Sequence, residues 1–244
     1  MSINITIHKG TNEIGGNCVE VSSSTTRLLL DVGQPLSGEE ITLCDDLKRV
    51  DAVIISHPHQ DHYGLLDQIP ATTPVYMGVT AVKIIQATLV FLGRPPFQNN
   101  FQPMEDRLPF SVGDLTVTPY MVDHSAFDAY SLLVEGDGER VFYTGDFRMH
   151  GRKKSLMEDF LADPPDPVDV LITEGTMLDR TNEAMPSETA AEQAMVDLLN
   201  TTEGAGLLIC SSQNLDRLVT AYRACIRSGR VFVIDIYTAW ILRL

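Results

Sequence analysis

Apolar positions recur along this chain with two different periods. Residues 3–9 (INITIHK) alternate apolar and polar, the spacing of a strand with one buried face. NCVEVSS follows the Gly15-Gly16 turn, RLLLDVG is an apolar run ending at Gly33, and DAVIIS (51–56) is a second such run. All three predict buried strands. Asp61 to Ile69 predicts the start of a short helix, and PVYMG a short strand. The period then changes. Ala81, Ile85, Thr88, Leu89 and Leu92 share one helical face, with Thr80 as the expected cap and Gly93 with Pro95-Pro96 as the stop. DLTVTPYMV, AYSLLVEG and ERVFYTG predict three more strands, the last two joined by a GDGE hairpin turn.

Beyond about Ala162 helix and strand alternate. Helical patterns at 155–162, 188–200 and 213–228 are each followed by an expected strand: VDVLIT, GLLICSS and RVFVIDI. In the last helix Leu215, Leu218, Val219, Tyr222 and Ile226 fall at helical spacing, and Gly229 supplies the stop. This order predicts parallel α/β units. Pro164-Pro165-Asp166-Pro167 reads as a rigid linker.

Composition narrows the class. Of 244 residues, 44% are hydrophobic, which excludes a disordered or low-complexity chain. The apolar runs are strand-length, far short of a membrane span. MSINITIHKG lacks the basic and apolar regions of a signal peptide, so a cytoplasmic protein is expected. The four cysteines form no CxxC pair and read as reduced thiols. With 18 basic against 33 acidic side chains, the net charge of −15 argues against broad adhesion to nucleic acid. It suits cation binding.

The chemistry concentrates in Ser56-His57-Pro58-His59-Gln60-Asp61-His62. Three of the six histidines lie within these residues, directly after an apolar strand. Imidazole and carboxylate are ligands for zinc and related divalent ions. His124, in MVDHSAFD, and Asp146, in FYTGDFR, each stand just past a predicted strand. Together they predict two metal sites. His57, His59 and His124 form the first; Asp61, His62 and Asp146 form the second, with Asp146 able to bridge both ions.

HPHQDH, His124, Asp146 and the Asp31 of LLLDVG resemble the first four motifs of the metallo-beta-lactamase superfamily, in order and spacing. The resemblance implies an α+β fold, a four-layer αββα sandwich with a binuclear centre at one edge, in which Asp31 orients the metal loop. TNEIGGNCVEV, YTGDFR and VDVLITEGT further resemble the ribonuclease J and cleavage-factor branch, the beta-CASP nucleases. There Glu174 matches an acidic residue with a catalytic role. Residues 207–236 resemble the opening of the beta-CASP cap, which divides the chain into a metallo-beta-lactamase-like domain, 1–203, and a partial α/β cap segment, 204–244. The branch carries later histidines, whereas none follows His150 here. The chain therefore looks truncated relative to that pattern, with the metal half of the site present and the proton-donating half missing.

The expected function is metal-dependent hydrolysis of RNA phosphodiesters. Two divalent ions, zinc with manganese as the alternative, would activate a water that Asp61 orients and deprotonates. A small-molecule ester or thioester hydrolase of the same fold, or a metal-binding remnant with little activity, remains the alternative. The expected partners are RNA or another phosphodiester and, in an unfinished sheet, a second copy of the chain; no membrane is expected. Arg152-Lys153-Lys154 either steers a phosphate backbone or ends a solvated loop.

Overall fold

The computed structural model describes residues 2–178 and 185–244. Two sheets face each other. The first holds β1 (Asn4–Lys9), β2 (Cys18–Ser22), β3 (Arg27–Leu30), β4 (Ala52–Ile54), β5 (Pro74–Gly78) and β6 (Asn100–Met104), side by side in chain order. β1 to β3 pair antiparallel, and β3 to β6 run parallel. The second sheet holds β7 (Phe110–Val112), β8 (Leu115–Met121), β9 (Tyr130–Gly136), β10 (Glu139–Tyr143) and β11 (Val170–Ile172), in the order β11-β10-β9-β8-β7. The helices are α1 (Gln60–Tyr63), α2 (Val79–Phe91), α3 (Lys154–Ala162), α4 (Glu188–Thr201), α5 (Leu215–Arg227) and α6 (Ile236–Ile241).

The layers follow from alternation along the central strands. Leu28, Leu30, Ala52 and Ile54 point to the second sheet and pack with Val117, Leu132, Val134 and Val141. Their neighbours Leu29, Val53 and Ile55 point the other way, onto Ala81 and Ile85 of α2 and onto Tyr63 and Leu66. α3 covers the outer face of the second sheet through Met157 and Phe160, beside Val122 and Phe147. The result is helix, sheet, sheet, helix, as the resemblance implied. Strands buried on both faces need the continuous apolar runs that RLLL and AVI supply. Each fully buried leucine contributes roughly 1.5–3 kcal/mol.

The GDGE turn forms as expected, with Asp137 and Gly138 both at positive φ. Several features depart from the sequence reading. α2 is capped from a distance. Its N-cap is Gly78, and Asp128 Oδ2 accepts the Thr80 and Ala81 N–H groups at 2.8 and 3.1 Å, so Thr80 lies inside the first turn. β6, β7 and α6 were not anticipated. β6 carries Pro103, and it is the edge of its sheet, where a missing N–H is tolerated. GLLICSS and RVFVIDI form no ladder among the described residues. Leu207, Ile209, Val231 and Val233 there are 83–98% exposed. α6 instead docks on α2, placing Ile241 against Ile84 and Ala87, and Tyr237 within 2.9 Å of the Thr88 hydroxyl.

The basic run is neither a phosphate track nor a free loop end. Arg152 turns inward and donates to Glu192 and to Thr220, both at 2.7 Å. Lys153 donates to the Ala126 carbonyl at 3.0 Å and lies over the Phe127 ring. Lys154 pairs with Glu158 one helical turn on. No helix among the described residues is long and apolar enough to cross a membrane.

Candidate metal centre

The cluster sits where β3, β4, β8 and β10 end on one rim of the sandwich. Asp31 directly follows β3, at φ 62°. Aspartate is one of few residues that tolerate this left-handed backbone. Its carboxylate is wholly buried. Oδ1 accepts the Ser56 N–H at 2.7 Å. Oδ2 accepts from the Ser56 hydroxyl at 2.9 Å, from Tyr143 at 2.7 Å and from His62 Nδ1 at 2.7 Å. Two residues on, a Cβ at Gly33 would stand 1.7 Å from the Asp61 carbonyl oxygen, so only glycine lets the loop pass this closely.

This network aims two imidazoles. His57 and His62 are fully buried. Ser56 gives its proton to Asp31, so its oxygen accepts from His57 Nδ1 at 3.0 Å. His62 gives Nδ1–H to Asp31. In both rings Nε2 is left facing the cluster, the arrangement that metal-binding histidines use to fix tautomer and direction. His59 Nδ1 lies 3.1 Å from His57 Nε2 and 3.2 Å from His124 Nε2.

Such close ring nitrogens need either a shared proton or a cation between them. Burial keeps these rings neutral, each with one N–H and one lone pair. It pulls His57 well below the ordinary histidine range, helped by the neighbouring imidazoles, and it pulls His59 down as well. His124 is lowered to about 3, by burial first and His59 next. These rings therefore present lone pairs at neutral pH. Ligands about 2.0–2.1 Å from a four-coordinate zinc ion stand about 3.3 Å apart, close to the spacing found. The donor set fits a divalent cation.

A second group adjoins it. His57, His62 and Asp146 place one ligand atom each within 4.8 Å of one another, as do His57, His59 and His124. His62 Nε2 is 3.5 Å from Asp146 Oδ1 and 3.8 Å from Asp61 Oδ2. Burial alone would lower the pKa of His62, but Asp31 and Asp146 outweigh it and push it up to about 10. Asp146 is held below the usual carboxylate range: burial raises it, and the His62 hydrogen bond together with the charges of His62, His124 and His59 more than offsets that. A proton between two carboxylates thus stands where a cation would neutralise them, and a metal ion entering must displace it. The structure brings His57, His59 and His124 together. In the second group His57 joins His62 and Asp146, with Asp61 beside them.

Asp61, Asp146 and Glu174 line one cleft of about 900 Å³, walled by the glycine-rich segment 9–15. Glu174 Oε1 accepts the Phe147 N–H at 2.9 Å, and burial raises its pKa. His150 stays apart, its carbonyl accepting the Glu188 N–H at 3.0 Å. His8 pairs with Glu20 at 3.0 Å.

A family model described as the beta-lactamase superfamily domain matches residues 26–209, three quarters of the chain and every residue of both donor groups. The chain belongs to the metallo-beta-lactamase superfamily. This superfamily member is 24% identical to ribonuclease J of Helicobacter pylori over 94% of its own length and 36% of the relative's. It is 29% identical to an RNase J-like protein of Methanocaldococcus jannaschii, over 95% of its length and 57% of that protein's. It therefore spans between about a third and three fifths of these relatives. A solved structure from Enterococcus faecalis V583, described as a protein of unknown function, superposes with a TM-score of 0.83 at 20% identity. That match covers 98% of this chain and 67% of the other, and it supports the fold over nearly the whole length.

Sequence reading missed four residues that build this superfamily site. Ser56 and Tyr143 complete the Asp31 network. Asn17 accepts the Gly33 N–H through its carbonyl at 2.8 Å, and its side-chain amide lies 3.0 Å from His62 Nε2. Asp123, fully buried, underpins the turn before His124. The serine beside His57 and the aspartate beside His124 were legible signals, since buried ligands need polar support. Tyr143 read as an ordinary strand residue.

Proposed function

We propose that the chain is a metal-dependent hydrolase of RNA phosphodiesters. Its centre is held by His57, His59, His62, His124, Asp61 and Asp146, with zinc as the preferred ion and manganese as the alternative. The observation that carries this is the pair of donor groups joined at His57 and opening on the cleft that Asp61 and Glu174 share. The names of the ribonuclease J relatives favour RNA as the substrate.

Ions bound there supply Lewis acidity toward a phosphoryl oxygen and acidify a water molecule. The remaining work falls to the chain's own side chains. Asp61 stands at the cleft beside His62, placed to orient a water and to accept its proton. Asp31 touches no substrate and keeps His62 aimed. Glu174 fixes the backbone next to Asp146 by accepting the Phe147 N–H, and it lines the same cleft. Lys9 on the cleft wall offers a cation to a phosphate in a chain that is acidic overall. Residues 204–244 read as the start of a cap over a catalytic domain, 1–203.

The test is cleavage of single-stranded RNA beside hydrolysis of a generic thioester. Both are run after chelation and after adding back zinc or manganese. Metal-restored RNA cleavage is the expected result. Thioester turnover without RNA cleavage would move the reading to a small-molecule hydrolase, and metal binding without turnover to a remnant.

A further inference from the structure

The donors of the two groups come from the two sheets. His57, His59 and His62 all follow β4, while His124 follows β8 and Asp146 follows β10. Arg148, two residues past Asp146, ties these last two segments together. Its N–H donates to the Asp123 carbonyl at 2.7 Å, and its Nε donates to Asp123 Oδ1 at 3.4 Å. Asp123 precedes His124, is fully buried, and accepts the Gly151 N–H on Oδ2 at 2.7 Å. A Cβ at Gly151 would stand 2.1 Å from that carboxylate, so the close approach needs glycine.

The other end of Arg148 reaches out of the sandwich. Its Nη2 donates to Asp216, in the first turn of α5. The same Asp216 oxygen accepts the Arg152 N–H at 2.9 Å. The first residue of α4, Glu188, donates its N–H to the His150 carbonyl at 3.0 Å. The α4–α5 pair thus grips the loop at residues 148, 150 and 152. The Arg148 side chain is 12% exposed and that of Asp216 10%, so this ion pair is shielded from the solvent that weakens surface pairs.

We propose that Arg148 and Asp216 are positioning residues through which the α4–α5 pair sets the placement of His124 and Asp146 opposite the histidines that follow β4. This rests on the metal-centre reading above. With the Asp216 carboxylate removed, the guanidinium loses its outer anchor, and at residue 148 only Asp123 still holds the loop. The ligands stay present but shift relative to their partners.

The experiment compares the parent with Asp216→Asn, Asp216→Glu, Arg148→Lys and Arg227→Ala. Arg227 pairs with Glu192 and Gln193 on the same helices without touching the loop. Zinc affinity is measured by competition with a chelator, and ligand geometry by the visible absorption of bound cobalt(II). Asp216→Asn is expected to weaken zinc binding about tenfold or more and to alter the cobalt bands. Asp216→Glu should recover part of the loss, and Arg227→Ala should match the parent. Should Asp216→Asn not fold, Arg148→Lys is judged by the same outcomes. Parental affinity and cobalt bands in a less stable Asp216→Asn would overturn the proposal and leave a merely structural clasp. A parent that binds no zinc would overturn the metal-centre reading and this proposal together.

Discussion

The rim of the sandwich and the stretches 205–210 and 230–235 began as equals in the sequence. Both show apolar runs of strand length, RLLL and AVI in one, LLIC and VFVI in the other. In the sandwich every such run finds a neighbour on each side, and Leu28, Leu29 and Leu30 are fully buried. In the later stretches the backbone joins no sheet among the described residues, and Ile209 is 98% exposed. An apolar run is an offer to pair. It becomes structure only where a partner strand and a covering layer are within reach. Chemistry followed the same division, because the proposed ligands all stand in the segments that follow fully paired strands.

The comparison breaks most visibly at the site. Asp146→Ala removes the carboxylate shared with His62, and hydrolysis of bis-p-nitrophenyl phosphate should fall on the order of a hundredfold or more. His150→Ala should keep the parental rate. The reverse pattern would move the site off the rim. Next comes stability at the same rim. Asp31→Asn keeps the left-handed backbone but trades a charged acceptor of four hydrogen bonds for a neutral amide. It should cost about 3 kcal/mol, read from the denaturant midpoint.

Paired truncations sharpen the contrast between buried and bare runs. Leu28→Ala should cost about 2–5 kcal/mol, and Ile209→Ala less than about 0.5 kcal/mol. Equal costs would mean that the later stretch is covered in solution. The smallest effect lies between the sheets, where Asp114 of the β7–β8 turn meets the β2–β3 turn. Hydroxyl donors from Thr26 and Ser23 hold its carboxyl down at about 2. Because the folded value is depressed, the stabilisation is present above the unfolded value of about 4 and disappears as pH falls toward 2. Asp114→Asn should therefore lower the urea midpoint slightly at pH 6 and not at pH 2.

The centre of the sandwich was legible because β2, β3, β4 and β9 are buried on both faces and cannot hide their apolar runs. β6 was not, because Asn100, Gln102 and Pro103 suit an edge strand and carry little apolar signal. The six proposed ligands and Asp31 were legible because imidazole and carboxylate crowd into strand ends. The grouping around His57, the turn of Arg152 into the interior and the grip of Asp216 on Arg148 were not. Those depend on which chain segments meet, and no local spacing encodes that. The remote cap on α2 belongs to the same class, since Asp128 lies 48 residues from the N–H it accepts.

The hydrogen bonds on Asp31 also set an order of assembly. Its donors lie progressively farther along the chain: Ser56 at a separation of 25 residues, His62 at 31 and Tyr143 at 112. Strands of the first sheet meet in sequence order, so the nearer donors can arrive through short loop closures. Tyr143 arrives only when the second sheet docks. A nascent chain that has finished its first sheet therefore holds an incomplete hub, and the Asp31 network that aims His62 is not complete until Tyr143 has been added. Cation affinity becomes a late checkpoint of folding, separating finished molecules from half-built ones.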